Sequence, residues 1–227
     1  MLRELIHKDL VLNRNALLLN NGLFAVMVTA LAHQGIGGQE YGFFSSLFFS
    51  FTAITVLVRE DKFKARALGC SLPVTARGIV IGRYVLGPAA GGAGALFALS
   101  LPLVLPTSSI PGDQILAAET ALTCISTITI TLALLVPVTI RFGMFGILAL
   151  LVGLQVLGVA AFALARRFED VALGPGHAVR WIASALGDAH AALGGLGFSL
   201  ATLACLAIVS MLSCQASVAI FERRRTG

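Results

Sequence analysis

Charge is what this sequence has least of. Lys, Arg, Asp and Glu together make 12% of 227 residues, against about a quarter in a typical soluble domain, while 57% of residues are hydrophobic and the mean hydropathy is +0.92. A chain so poor in charge cannot cover a water-facing surface, which excludes an ordinary soluble globular protein and points to a polytopic, all-α membrane protein in one domain, 1–227. The four cysteines, Cys70, Cys124, Cys205 and Cys214, form no CxxC pair, so neither a disulfide framework nor a zinc site is expected; small apolar fillers suffice. No GxxxxGK[ST] loop is present, so the chain binds no nucleotide by that route, and no HExxH or other hydrolytic constellation supports an intramembrane enzyme. The pI near 9.4 does not indicate nucleic acid, because the basic residues sit at the edges of apolar runs and form no soluble basic face.

What is present is a series of apolar runs. Six spans are expected at about 15–32, 41–58, 79–105, 115–140, 142–165 and 193–213, each near the length needed to cross the hydrocarbon core. Before them, Leu2, Leu5, Ile6 and Leu10 share one helical face with Arg3, Lys8 and Arg14 elsewhere, the pattern of a helix lying in the membrane interface. The start does not read as a cleavable signal peptide. With six spans both termini share a side. That side collects thirteen Lys and Arg and the other three, so the positive-inside rule places both termini in the cytoplasm.

Within the spans, Gly87 and Gly91 are spaced for close helix approach, and Pro88 is expected to kink the third span. The fourth span carries Thr120, Thr123, Thr127 and Thr131. These hydroxyls either bond back to the carbonyl one turn earlier or line a polar path. With the Phe-rich second span, Phe44, Phe48, Thr123 and Thr127 are the candidate substrate-path residues. Glu119 is the acid nearest hydrocarbon and is expected in the outer headgroup zone. Arg141-Phe142-Gly143 makes a very short turn into the fifth span. The polar segment 166–192 holds the only Trp, Trp181, and is expected to form a short extracytoplasmic or re-entrant helix.

The stretch from Arg59 to Arg83 holds six of the sixteen basic residues. Glu60, Asp61 and Lys62 open a breaker-free run through Phe63 and Ala67 on one face, and Gly69 is suited to end it. Leu72-Pro73 must turn a corner, and Thr75 is placed to cap a helix that continues through Arg77. On these residues alone, a rigid cytoplasmic knuckle and a plain solvated connection both fit.

Glu60-Asp61-Lys62, then Ser71-Leu72-Pro73-Val74-Thr75-Ala76-Arg77 and Arg83-Tyr84, resemble the short six-span bacterial ABC transporter permeases of the type-2 exporter superfamily. Leu5-Ile6-His7-Lys8-Asp9-Leu10, the Pro137–Gly143 corner and the Ser213–Arg223 finish are similar to elements of the same family. The arginine after Ser-Leu-Pro-Val comes one residue later than the family pattern has it. The resemblance implies that the knuckle is a coupling helix, with Glu60, Asp61, Lys62, Phe63, Ala67, Leu72, Pro73, Thr75 and Arg77 seated on a cytoplasmic ATPase. It further implies two ATPase subunits carrying the ATP and Mg, no cofactor in this chain, a second permease subunit, identical or paralogous, and a bilayer as surroundings. The implied activity is export of an amphipathic or hydrophobic substrate (peptide, lipid or drug) across a bacterial cytoplasmic membrane. A free-standing secondary transporter or a membrane scaffold is the alternative; the former would ordinarily show ionisable residues near the midplane, which these spans lack.

Overall fold

The computed structural model describes residues 19–34, 36–62, 76–105, 108–167 and 175–226; the described residues contain helices and no strand. The helices are α1 Leu19–Ala32, α2 Gly38–Lys62, α3 Ala76–Val104, a single turn α4 Gly112–Ile115, α5 Ala118–Arg167 and α6 Pro175–Thr226. Three segments are long and apolar enough to cross a membrane: Arg77–Val104, Ala118–Gly143 and His190–Arg223; Leu19–Ala32 is apolar but shorter. The expected runs 41–58 and 142–165 lie within α2 and the second part of α5, helical throughout. The expected interfacial helix at 1–14 lies outside the described residues, as do 63–75.

Two glycines interrupt the long helices. Gly143, φ 62° and ψ −146°, breaks α5 directly after Arg141-Phe142, so the short turn read from the sequence is a single left-handed residue. Gly194, φ 67° and ψ 166°, breaks α6 beside the expected start of the sixth span. Both conformations are open to glycine and strained for other residues. The segment before Gly194 is helical from Pro175, so Trp181 and its amphipathic neighbours lie on helix as expected.

The chain forms two compact units, 1–143 with 206–227, and 144–205. In the first unit, α3 is the central helix. Side-chain atoms added at Gly87 and Gly91 would meet Leu132 at 3.2 Å and Ile128 at 3.2 Å on α5. The residue order reverses between the two helices, so α3 and α5 are antiparallel. The small-residue face read from the sequence is therefore a packing face. On its other side α3 meets α2, where a Cβ on Gly94 would fall 2.3 Å from the Phe49 ring. Phe49 sits edge-on to Phe24 of α1 at 6.2 Å and to Phe97 at 6.4 Å, and Phe24 stacks on Phe48 at 5.5 Å. Val28, Ala32, Tyr41, Ala98, Ile110 and Ile115 complete this core.

Pro88 and Pro102 both lie inside α3, and the helix runs through them. The fourth span differs from its expected start at residue 115. The chain makes the α4 turn, breaks at Leu116-Ala117 and starts again at Ala118. The break is held by the Thr120 hydroxyl, which donates to the Gln114 carbonyl at 2.7 Å, satisfying an acceptor that the end of α4 leaves open.

Candidate functional site

A proline inside a helix leaves the carbonyl four residues earlier without its usual N–H partner. In a membrane-spanning helix that acceptor must be satisfied by protein. Pro102 strips Ala98 of its partner, and the Tyr41 hydroxyl of α2 donates to the Ala98 carbonyl at 2.7 Å, fully buried. Pro137 does the same to Ala133, and there the Ser213 hydroxyl of α6 donates to the Ala133 carbonyl at 2.5 Å. Two interhelical hydrogen bonds thus arise from two prolines.

The second of these extends into a network. Tyr84 Oη lies 2.5 Å from Ser213 Oγ and 3.0 Å from Ser217 Oγ. Since Ser213 spends its hydrogen on Ala133, Tyr84 must donate to Ser213, and Ser217 donates to Tyr84. Ser217 is fully buried. One chain of hydroxyls therefore ties the beginning of α3, the end of the α5 span and the last turns of α6. Tyr84 follows Arg83 in the pair that opens the third span, and Ser213 and Ser217 belong to the C-terminal motif; the fold brings these distant elements together. Tyr84→Phe should cost about 1 kcal/mol, the scale of interhelical hydrogen bonds in membranes. A lowered thermal midpoint in detergent, with normal insertion, is the expected result, and Ser213→Ala should lower it further by exposing the Ala133 carbonyl as well.

At the opposite end of the same unit, the loops after α1 and α3 close over one another. Ser109 gives both its N–H, at 3.1 Å, and its hydroxyl, at 2.9 Å, to the Ala32 carbonyl that ends α1. The Gly38 N–H at the start of α2 donates to the Gln114 side-chain oxygen at 3.2 Å. Here the backbones are so close that a Cβ on Gly38 would sit 2.7 Å from the Gln114 carbonyl. Beside this contact lies a cavity of about 360 Å³, lined by Gly38, Gln39, Glu40, Gln114, Glu119 and Thr120 among others. The Gln39 amide donates to the Glu119 carboxylate, and Glu119 is exposed, outside the packed interior as expected.

The expected coupling residues are only partly placed. Glu60, Asp61 and Lys62 are the last residues of α2, so the helix of the second span continues unbroken to them. Arg77 lies exposed in the first turn of α3. Phe63, Ala67, Leu72, Pro73 and Thr75 lie outside the described residues. Of the candidate path residues, Phe48 is half-buried in the aromatic core, and Phe44 is 39% exposed and edge-on to Phe43 at 5.4 Å. Thr123 donates to the Glu119 carbonyl and Thr127 to the Thr123 carbonyl, each at 2.8 Å, so both follow the back-bonding pattern.

Tyr41, Tyr84, Ser213 and Ser217 were not singled out as site residues from the sequence. The signal that finds them is the proline rule itself: each intraspan Pro marks a carbonyl that some hydroxyl must reach.

Among known proteins, no curated sequence and no solved structure matches this chain. One family does, described as ABC-2 family transporter protein, and it matches residues 4–222. That match includes both proline-linked hydroxyl pairs, the Arg59–Arg83 stretch and the C-terminal helix. An all-helical protein with membrane-crossing segments, matched over nearly its whole length, belongs to the ABC-2 transporter membrane family.

Proposed function

We propose that this chain is the transmembrane subunit of an ATP-driven exporter. It pairs with a second permease subunit, identical or paralogous, and couples to two cytoplasmic ATPase subunits to move an amphipathic or hydrophobic substrate out of the cytoplasm or inner leaflet. The family match over residues 4–222 carries this reading, since membership implies association with a membrane and with an ABC ATPase. The residues from Glu60 to Arg77 act as the coupling element, and ATP and Mg are held by the partner. The chain sits in a bacterial cytoplasmic membrane with six spans and both termini inside.

Helix directions support this topology. The α1/α2 and α3/α4 junctions meet at one end of the first unit, through Ser109 with Ala32 and Gln114 with Gly38. The start of α3 and the end of α6 meet at the other, through Tyr84 with Ser217. The second of these ends is the one that gathers Arg77, Arg83, Arg141 and Arg223, as the positive-inside rule requires of a cytoplasmic face. The hydroxyl network would then tie the helix leaving the coupling element to two neighbours, so that a push on the knuckle moves three helices together.

Affinity purification of the tagged chain from its own membranes tests the reading. An ABC ATPase bearing GxxxxGK[ST] should be recovered with it; reproducible recovery of the chain with no ATPase would count against the proposal.

A further inference from the structure

The cavity at the α1/α2 end continues inward as a closed polar seam between α2 and α5. Its floor is Thr120. Below that, Gly42 of α2 lies so close to α5 that a Cβ there would meet Thr120 Cγ2 at 3.0 Å and the Cys124 thiol at 3.2 Å. One turn further along α2 is Ser46, fully buried, whose hydroxyl has no hydrogen-bonding partner. The Cys124 thiol is beside it, but that thiol points its own hydrogen at the Gly42 carbonyl, 3.5 Å away, and sulfur is a weak acceptor. A buried hydroxyl left in this condition costs about 1–3 kcal/mol and calls for a physical reason.

The chemistry of the mouth indicates what would satisfy it. Residues 33–40 and 106–120 contain Glu40, Asp113 and Glu119 and no Lys or Arg. Glu40 and Glu119 both line the cavity, the Gln39 amide already donates to Glu119, and the Thr120 hydroxyl is spent on Gln114. The mouth and floor therefore present acceptors whose negative charge no nearby basic residue of these loops offsets. We infer that this cavity is the mouth of a passage for ammonium-bearing ligands, shut in this structure where Gly42 meets Thr120 and Cys124, and that Ser46 is the inner group that contacts the ligand when the seam parts. Gly42 is suited to a seam that opens and closes, because no side chain interlocks there.

This inference rests on the transporter reading only for what opens the seam. The test uses the full chain with its ATPase in proteoliposomes, carrying Cys124 as sole cysteine (Cys70→Ser, Cys205→Ala, Cys214→Ala). Two membrane-impermeant thiosulfonates are compared, one bearing a trimethylammonium and one a sulfonate. During ATP hydrolysis Cys124 should react with the cationic reagent at least tenfold faster than with the anionic one, and Glu119→Gln should shrink that preference. Cys124 that stays unreactive during measured hydrolysis, or reacts equally with both reagents, overturns the passage. Independently, Ser46→Ala should raise the thermal midpoint by removing the unpartnered hydroxyl, and a lowered midpoint overturns the role given to Ser46. If no ATPase accompanies the chain, the transporter reading fails separately, and the charge preference of Cys124 labelling in the isolated chain decides the passage.

Discussion

Gly94→Ala should lower the stability of this protein by about 3 kcal/mol, at the upper end of what an inserted methyl ordinarily costs a packed interior. The added Cβ would lie 2.3 Å from a Phe49 ring carbon and 2.7 Å from Phe49 Cβ. Phe49 has little room to yield: it is 2% exposed and held edge-on by Phe24 and Phe97. The contact therefore has to be relieved by moving α2 away from α3. That movement would also lengthen the Tyr41–Ala98 bond, leaving a proline-orphaned carbonyl in the bundle. Gly92→Ala is the matched control. Nothing lies within 4 Å of a Cβ there, and alanine is favoured over glycine in a helix by up to about 1 kcal/mol. Size-exclusion yield and thermal midpoint in detergent should fall for the first variant and hold or rise for the second. Equal behaviour of the two would contradict the close α2–α3 approach.

The second large effect concerns function. Phe63→Asp should leave insertion and thermal midpoint unchanged yet strip the ATPase from the purified chain. Phe63 is the one large apolar side chain in an otherwise charged and small-residue run from Glu60 to Leu68, and a single apolar anchor in a partner's cleft commonly accounts for about 2 kcal/mol or more of binding. Loss of that anchor is roughly a thirtyfold loss of affinity, before the repulsion of a buried carboxylate is added. Undiminished ATPase recovery with Phe63→Asp would remove the knuckle from the interface. Ala67→Asp, on the same face, should behave like Phe63→Asp.

How much of this was legible in the sequence follows from the range of the interactions. Helix positions, the Gly87/Gly91 packing face and the one-residue turn at Gly143 depend on local pattern, and the structure agrees with each. The back-bonding of Thr123 and Thr127 is likewise local, reaching one turn. The break at Leu116-Ala117 was not legible, because an apolar Ile-Leu-Ala-Ala run carries no stop signal. What breaks it there is the Thr120 hydroxyl reaching back to Gln114, while the Gln114 side chain caps α2. The Tyr84–Ser213–Ser217 network spans more than a hundred residues of sequence. Its parts were noticed as motifs at the two ends of the chain, but nothing in either motif says that they touch. Only the carbonyls freed by Pro102 and Pro137 could have announced that hydroxyls were required at Ala98 and Ala133. Ser46 was invisible for a similar reason, since serine on a span normally bonds to its own helix, as Ser45 and Ser50 do.

The account's central claim is that this membrane chain is half of an ATP-driven machine. The most direct measurement is the native mass of the complex purified through a tag on this chain. The account predicts two permease subunits, each this 23.6 kDa chain or one of them a paralogue, together with two nucleotide-binding subunits, and a mass shift on adding ATP and Mg. A mass made of this chain alone, with no nucleotide-binding subunit under conditions that preserve known transporter complexes, would contradict it.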